Sequence, residues 1–422
     1  MKTTALRIHG KDDLRLSTFD LPEMGKDEIL AKVVSDSLCM SSYKAAIQGP
    51  AHKRVPENCA EVPPIIGHEM CGEIIAVGEK WQSQYKPGDR FIMQTALGVE
   101  SDPFTSPGYS FPYVGGCATY ILIPDIVMSQ GCLIKYTGDA FFYGSLSEPV
   151  SCIIGGFHTN YHTRQGVYHH QMGIKKGGNM AILAGVGPMG LGAIDYAIHV
   201  DPRPSLLVVT DIDQARIDRA ASLLTVEEAA KNGVKLVYMN TKDAEASEKA
   251  IMDLTGGKGY DDVFVYAPVA PVVEMGDRIL GYDGCLNFFA GPTNKEFSAK
   301  YNFYNVHYGA HHICGNSGGN TDDMREAADL SGRGIMNPAA MITHVGGIDS
   351  AAESTMNLPN IKGGKKLIYT HIHMPLTAID DFAEKGKTDP MYAKLAELCE
   401  KHNGLWNGEA EKYLLSQLTV ED

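Results

Sequence analysis

Residues 179–200 read NMAILAGVGPMGLGAIDYAIHV: a short apolar run, a glycine turn, then apolar residues at helical spacing. The turn holds Gly185, Gly187, Pro188, Met189 and Gly190 in the order G-x-G-x-x-G. That pattern is weak alone and gains force only between a strand and a helix, with an acid at the end of the next strand roughly 20 residues on. The next apolar run, SLLVVTDIDQARIDRA, places Asp211 there. Each glycine then has a physical task. Gly185 permits the tight turn, Gly187 lets backbone approach a pyrophosphate, and Gly190 allows close helix–strand packing, while the helix N-terminus offers free N–H groups and a positive dipole end. Asp211 is placed to accept hydrogen bonds from the adenosine ribose and to repel a 2′-phosphate, favouring NAD, although Asp213 in the same run also offers an N-cap. Arg216 nearby leaves NADP open.

Outward from this turn the texture stays regular. YDDVFVYAP and CLNFFAG are further apolar strands separated by helical stretches, the pattern of a doubly wound parallel sheet. Beyond about Gly319 the chain is helical and mixed, with GKKLIYTHIHMPLTAIDDFAEKG supplying another strand and helix. The first third differs. ALRIH, LRLSTF, EILAKVV, EIIAVG, DRFIMQ and ATYILIP are short β-rich runs between Gly, Pro and Asp, which predicts a small β-barrel or sandwich. Two long aperiodic segments, 48–64 and 97–116, interrupt it, and loops of that length are usually functional. A chain of 422 residues exceeds one core. The expected division is an N-terminal catalytic domain at 1–158, a cofactor domain at 159–319, and a return to the first domain at 320–422.

Composition narrows the partners. A formal charge of −14 argues against nucleic acid or an anionic membrane and favours a small-molecule substrate. The opening MKTTALRIHGKDDLRL has no apolar core of signal-peptide length, and no apolar run reaches membrane-spanning length. The nine cysteines (39, 59, 71, 117, 132, 152, 285, 314 and 399) are scattered with no C-x-x-C pair, so neither a disulfide framework nor a four-cysteine zinc site is suggested. A cytoplasmic protein is expected.

A nicotinamide cofactor needs a partner that polarises the substrate oxygen. PPIIGHEMCGEIIAVG (63–78) sets His68 and Glu69 side by side, where alternate strand faces would separate them unless Gly67 turns the backbone. Cys39 lies upstream in DSLCMSSYK and Glu148 downstream in GSLSEPVSC. Thiolate, imidazole and carboxylate together suit zinc. Each is ordinary alone: Cys39 as a buried hydrophobe, Glu148 as an acid near a helix N-terminus, the His-Glu pair as a solvated strand start. His307 and His311 share i, i+4 spacing but have no third ligand motif, and His169-His170 read as solvent-facing.

Taken in order, SLCMSSYK, PPIIGHEMCGEIIAVGEKWQSQYKPGDRF, GGCATYILIP, SLSEPVSC and AGVGPMGLGA resemble the zinc-dependent medium-chain dehydrogenases across essentially the whole chain. THVGGIDSAAESTMNL resembles their late return segment. Glu69 and Glu148-Pro149 resemble the sorbitol and threonine dehydrogenase branch, and GGKKLIYTHIHMPLTAIDDF its sugar-phosphate members. The resemblance implies a GroES-like β-barrel catalytic domain beside a Rossmann domain. It implies Cys39, His68 and Glu69 as zinc ligands, Glu148 as a fourth ligand or a base beside the metal, and Ser41 as the proton-relay hydroxyl. Where the family often has Cys-Gly-Ser/Thr-Asp-x-His, this chain runs from Cys39 to Lys44 without that Asp and His, which leaves the outer proton path open and Lys44 as a further catalytic candidate. The four-cysteine zinc lobe is missing, since 97–116 holds no cysteine, so one zinc per chain is expected. The implied substrate is a polyol or sugar phosphate, best matched by L-sorbose 1-phosphate and its hexitol phosphate. An acidic chain that takes an anion needs local positive charge, offered by Lys53-Arg54 in the loop ahead of the His68 segment, with Lys295 or Lys300 as alternatives. The alternatives are a plain polyol or threonine-type dehydrogenase and a non-catalytic NAD-binding sensor. A homo-dimer or homo-tetramer is implied.

Overall fold

A computed structural model of the chain describes residues 1–164 and 166–418. It divides into two compact units: Met1–Pro149 with Asn320–Gly332 and Pro338–Asp422, and Val150–Gly319 with Arg333–Asn337. The division falls inside the helix Phe141–Thr159, at Pro149, rather than at 158/159. Residues 333–337 also leave the return segment for the second unit, where the Asn337 N–H donates to Asp195 Oδ2 at 2.8 Å.

In the first unit a mixed eight-stranded sheet runs Thr377–Ala378, Ile342–Gly347, Lys365–Tyr369, Ile29–Leu38, Met70–Val77, Arg90–Met93 and Leu133–Lys135, with Tyr120–Ile123 pairing onto Ile29–Leu38. The strand Ile29–Leu38 is its hub. Ile29, Ala31 and Val33 alternate inward against Met70, Ile74, Phe91 and Ile121, the period-2 pattern of a face buried on a core. The late strand Lys365–Tyr369 pairs antiparallel with the other end of this hub, Lys366 opposite Leu38 and Tyr369 opposite Ser35. A second core joins Phe142, Tyr369, Phe382 and Trp406 to the C-terminal helices Pro390–Glu400 and Gly408–Leu418. From the last of these helices the buried Glu411 accepts the N–H groups of Phe141 and Phe142 at 2.7 and 2.8 Å and the Tyr369 hydroxyl at 2.7 Å. A carboxylate thus satisfies two of the free donors at the start of the helix that carries Glu148.

The second unit holds a six-stranded parallel sheet in the order Lys235–Asn240, Leu206–Asp211, Asn179–Leu183, Tyr260–Val265, Leu280–Phe288, His312–Cys314. Its strands Asn179–Leu183 and Leu206–Asp211 are buried without alternation, since a parallel sheet covered by crossover helices is buried on both faces. The order is that of a dinucleotide-binding sheet. His169 and His170 lie on an exposed strand, Val167–Met172. The helix Phe303–Tyr308 includes His307 but ends before the buried His311, so the two do not share a helix face. Among the described residues no helix is long and apolar enough to cross a membrane.

Candidate active site

Two segments of the first unit deliver Cys39, His68 and Glu69. Cys39 directly follows the hub strand and is the N-cap residue of the helix Met40–Gln48, with extended backbone. His68 and Glu69 follow Gly67, whose φ of +100° is the turn that the adjacent pair requires. A Cβ on Gly67 would sit 2.4 Å from Asp36 Oδ2 and 2.5 Å from the Cys117 backbone nitrogen, so no other residue fits. Asp36, fully buried on the hub strand, locks this turn: it accepts the Glu69 N–H at 3.0 Å and the Cys117 thiol at 3.0 Å.

One ligand atom each from Cys39, His68 and Glu69 lies within 4.8 Å of the others. His68 and Glu69 are buried, and Glu69 Oε2 has no hydrogen-bond partner. Burial pushes the Cys39 thiol up, with Lys365 opposing and Glu69 reinforcing. A partly buried thiol beside a buried imidazole and a buried carboxylate with an orphan oxygen forms a costly arrangement that a bound cation relieves. The donor set and its spacing fit zinc. Glu148 is buried beside this group and outside it; burial lifts its carboxyl to about 7, His68 pulling down and Glu69 and Cys39 pushing up.

Two contributors were not legible in the sequence. Lys365, buried at the head of its strand, donates to Glu69 Oε1. Its only sequence signal is a lysine pair opening an apolar strand in GGKKLIY. Tyr109, buried within the segment 97–116, has no periodic signal at all. The adjoining Gly108 brings it in: at φ +79° its missing Cβ would sit 2.0 Å from the Gly67 carbonyl oxygen. The Tyr109 hydroxyl donates to Ser41 Oγ at 2.8 Å and lies 3.2 Å from His68 Nε2. Ser41 Oγ in turn donates to Cys39 Sγ at 3.0 Å and lies 3.2 Å from His68 Nε2, while Ser42 Oγ is 3.3 Å from His68 Nδ1. Lys44 is half-buried; desolvation holds its amine below the ordinary value, and the nearby Cys39 partly restores it.

In the second unit a cavity of about 520 Å³ opens beside the glycine turn, lined among others by Gly187, Pro188, Met189, Asp211, Arg216 and Tyr266. The turn differs in detail from expectation. The left-handed residue is Ala184, at φ +53°, not Gly185. Gly185 and Gly190 serve packing: a Cβ on Gly190 would sit 2.0 Å from the Gly185 carbonyl oxygen, and one on Gly185 would sit 2.1 Å from Ile182. Gly187 is the helix N-cap, and a Cβ there would meet only Arg216 Nη2 at 3.2 Å. Asp211 ends its strand and accepts the N–H groups of Ile212 and Asp213 through Oδ1, at 2.8 and 3.1 Å. Asp213, not Asp211, caps the following helix, accepting the Arg216 N–H at 3.2 Å.

Two cations stand near the first cluster. Arg54 lies with its guanidinium carbon 5.0 Å from the Tyr109 ring centroid, and the Lys53 amine lies 5.0 Å from that of Phe104.

Comparison with known proteins agrees with this construction. The model of the alcohol dehydrogenase GroES-like domain matches residues 25–130, and that of the zinc-binding dehydrogenase matches residues 188–333. The chain is 52% identical over 414 residues to mannitol-1-phosphate 5-dehydrogenase of Aliivibrio fischeri, covering 98% of this chain and 97% of that one. It is 49% identical over 414 residues to L-sorbose 1-phosphate reductase of Klebsiella pneumoniae, with the same two coverages. The solved 2R,3R-butanediol dehydrogenase of Bacillus subtilis shares the fold, with a TM-score of 0.69 over 87% of this chain and 99% of that one at 18% identity. A GroES-like domain, a Rossmann domain and near full-length identity to two sugar-phosphate oxidoreductases have one reading: the chain belongs to the zinc-dependent medium-chain dehydrogenase/reductase family.

Proposed function

We propose that the chain is a zinc-dependent, NAD(P)-linked oxidoreductase that interconverts a polyol or its phosphate with the matching ketose or ketose phosphate. The observation that carries this reading is the convergence of partly buried Cys39 with buried His68 and Glu69, the glutamate keeping one carboxylate oxygen unpartnered. These three residues hold the metal, and Glu148 stands beside them as a fourth ligand or a base. When bound, zinc supplies the Lewis acidity that polarises a ketone or acidifies a hydroxyl, and the nicotinamide supplies the hydride acceptor or donor.

The chain's own groups do the rest. Ser41 Oγ, between Cys39 Sγ, His68 and the Tyr109 hydroxyl, moves the substrate proton, and Lys44 is the candidate for passing it outward. Lys365 holds one Glu69 oxygen and leaves the other unpartnered, the oxygen that would serve as a metal ligand. Gly187 and the helix start at Pro188 receive the cofactor pyrophosphate, while Gly185 and Gly190 keep strand and helix close. Met189 lines the cavity, Asp211 binds the adenosine ribose and favours NAD, and Arg216 beside Gly187 leaves room for NADP. The enzyme works in the cytoplasm, a setting in keeping with nine free cysteines, and assembles as a homo-dimer or homo-tetramer as the family resemblance implies.

Purified chain assayed with NAD and NADP against polyols and their phosphates, with metal content measured in parallel, tests the reading. Cofactor-linked turnover with bound zinc supports it, and zinc-free protein that turns over nothing in either direction overturns it.

A further inference from the structure

The segments 48–64 and 97–116 are tied together around Tyr109. Ser110 Oγ donates to the Arg54 carbonyl at 2.8 Å, and the Arg54 N–H donates to His52 Nδ1 at 3.3 Å. The His52 ring stacks on Tyr109 with centroids 5.9 Å apart. At one end of the Tyr109 phenol the hydroxyl reaches Ser41 and His68; over the ring lies the Arg54 guanidinium. One phenol ring therefore separates a fixed cation from the metal-ligand cluster.

Among the described residues no carboxylate forms an ion pair with Lys53 or Arg54, and Arg54 Nε is buried without a hydrogen-bond partner. Burial and then the Arg54 charge hold the Lys53 amine below its ordinary value. In a chain of net charge −14, two neighbouring cations left without a counter-charge mark a place where an anion is taken. Arginine with free N–H donors suits phosphate, which it can bind through two parallel hydrogen bonds.

With one phenol ring between the Arg54 guanidinium and His68, the arrangement favours the shorter of two spacings between phosphate and reacting carbon. In a 2-ketose 1-phosphate the carbonyl carbon neighbours the phosphate-bearing carbon, about 4 Å from phosphorus; in a hexitol 1-phosphate oxidised at carbon 5 the extended separation is about 7.5 Å. Resting on the oxidoreductase reading above, we propose that Arg54, carried on the Tyr109 ring and assisted by Lys53, binds the phosphate of a ketose 1-phosphate whose reacting carbon is the next one along. Arg54 thus selects both for phosphate and for its position.

The test compares wild type, Arg54→Ala and Arg54→Lys on L-sorbose 1-phosphate, fructose 6-phosphate and unphosphorylated L-sorbose, with calorimetric binding of L-sorbose 1-phosphate measured alongside. Wild type should favour the 1-phosphate over the 6-phosphate by at least about tenfold in kcat/KM. Arg54→Ala should raise KM and weaken calorimetric binding of the 1-phosphate about 10- to 100-fold, collapsing the preference for phosphorylated over free sugar, with Arg54→Lys recovering part. A wild-type preference for the 6-phosphate, or an Arg54→Ala loss equal for phosphorylated and free sugar, overturns the proposal while leaving the zinc oxidoreductase reading intact. If no sugar is turned over, that reading fails, and the binding comparison still decides whether Arg54 holds phosphate.

Discussion

In the first unit Cys39 and the adjacent pair His68-Glu69 come from two segments distant in sequence and meet as side chains, the pair buried and the cysteine partly so, whereas in the second the stretch 185–190 is one contiguous turn whose working surface is backbone. The first cluster stores cost: a raised thiol, an orphan carboxylate oxygen and a lysine neutralising one acid. The second is a cavity beside which a Cβ added to Gly187 would meet only Arg216 Nη2. A side-chain site of the first kind is sensitive to what fills it; a backbone site of the second kind is sensitive to what blocks it.

Removing a ligand should therefore have the largest effect. Cys39→Ala is expected to lose nearly all bound zinc and at least about 10³-fold in kcat/KM, with far-UV circular dichroism unchanged, because an open catalytic site does not hold the fold together. Activity within tenfold of wild type would place the chemistry elsewhere.

Glycine substitutions sharpen the contrast. Gly67→Ala combines φ +100° with contacts of 2.4 and 2.5 Å and should destabilise by about 2–4 kcal/mol in urea unfolding, with zinc lost as well. Gly187→Ala meets only the flexible end of Arg216, so stability should move by less than about 1 kcal/mol while cofactor binding weakens tenfold or more. The opposite ranking would contradict the division between a side-chain site and a backbone site.

This division also explains what could be read in advance. The glycine turn, the parallel strands and Asp211 were legible because their signals are local: apolar runs, glycines and an acid at fixed spacing. Cys39, His68, Glu69 and Glu148 were visible as residue types, and the family resemblance grouped them. Lys365 and Tyr109 were not legible, since each reaches the cluster through pairing or loop contacts distant in sequence: Lys366, next to Lys365, is opposite Leu38, and Gly108 is seated on Gly67. The left-handed residue at Ala184 rather than Gly185 escaped because spacing shows that a turn exists, not which residue bears it.

Replacing Asp211 with Ser removes an acceptor and a negative charge, and should shift cofactor preference toward NADP by about 1–3 kcal/mol, read as the ratio of kcat/KM values. A wild type that already prefers NADPH strongly would remove Asp211 as the discriminator.

The smallest effect concerns the second unit alone. Burial pushes the His162 imidazole down, but hydrogen bonding to Asp262 and the charges of Asp262 and Asp283 outweigh it and lift it to about 9. Because the folded value exceeds the unfolded one, this stabilisation is complete below about pH 6.5 and is lost as pH rises through about 9. Unfolding free energy should fall by about 1–2 kcal/mol across that window, and His162→Gln should flatten the slope. An equal slope in the variant would remove His162 as the cause.

Zinc stoichiometry measured together with cofactor-linked turnover of L-sorbose 1-phosphate, before and after chelation, tests the central claim most directly. One zinc per chain, with activity abolished by chelation and restored by added zinc, is the result expected of a single catalytic centre at Cys39, His68 and Glu69. Full turnover by the zinc-free chain, or a second tightly held zinc, would contradict it.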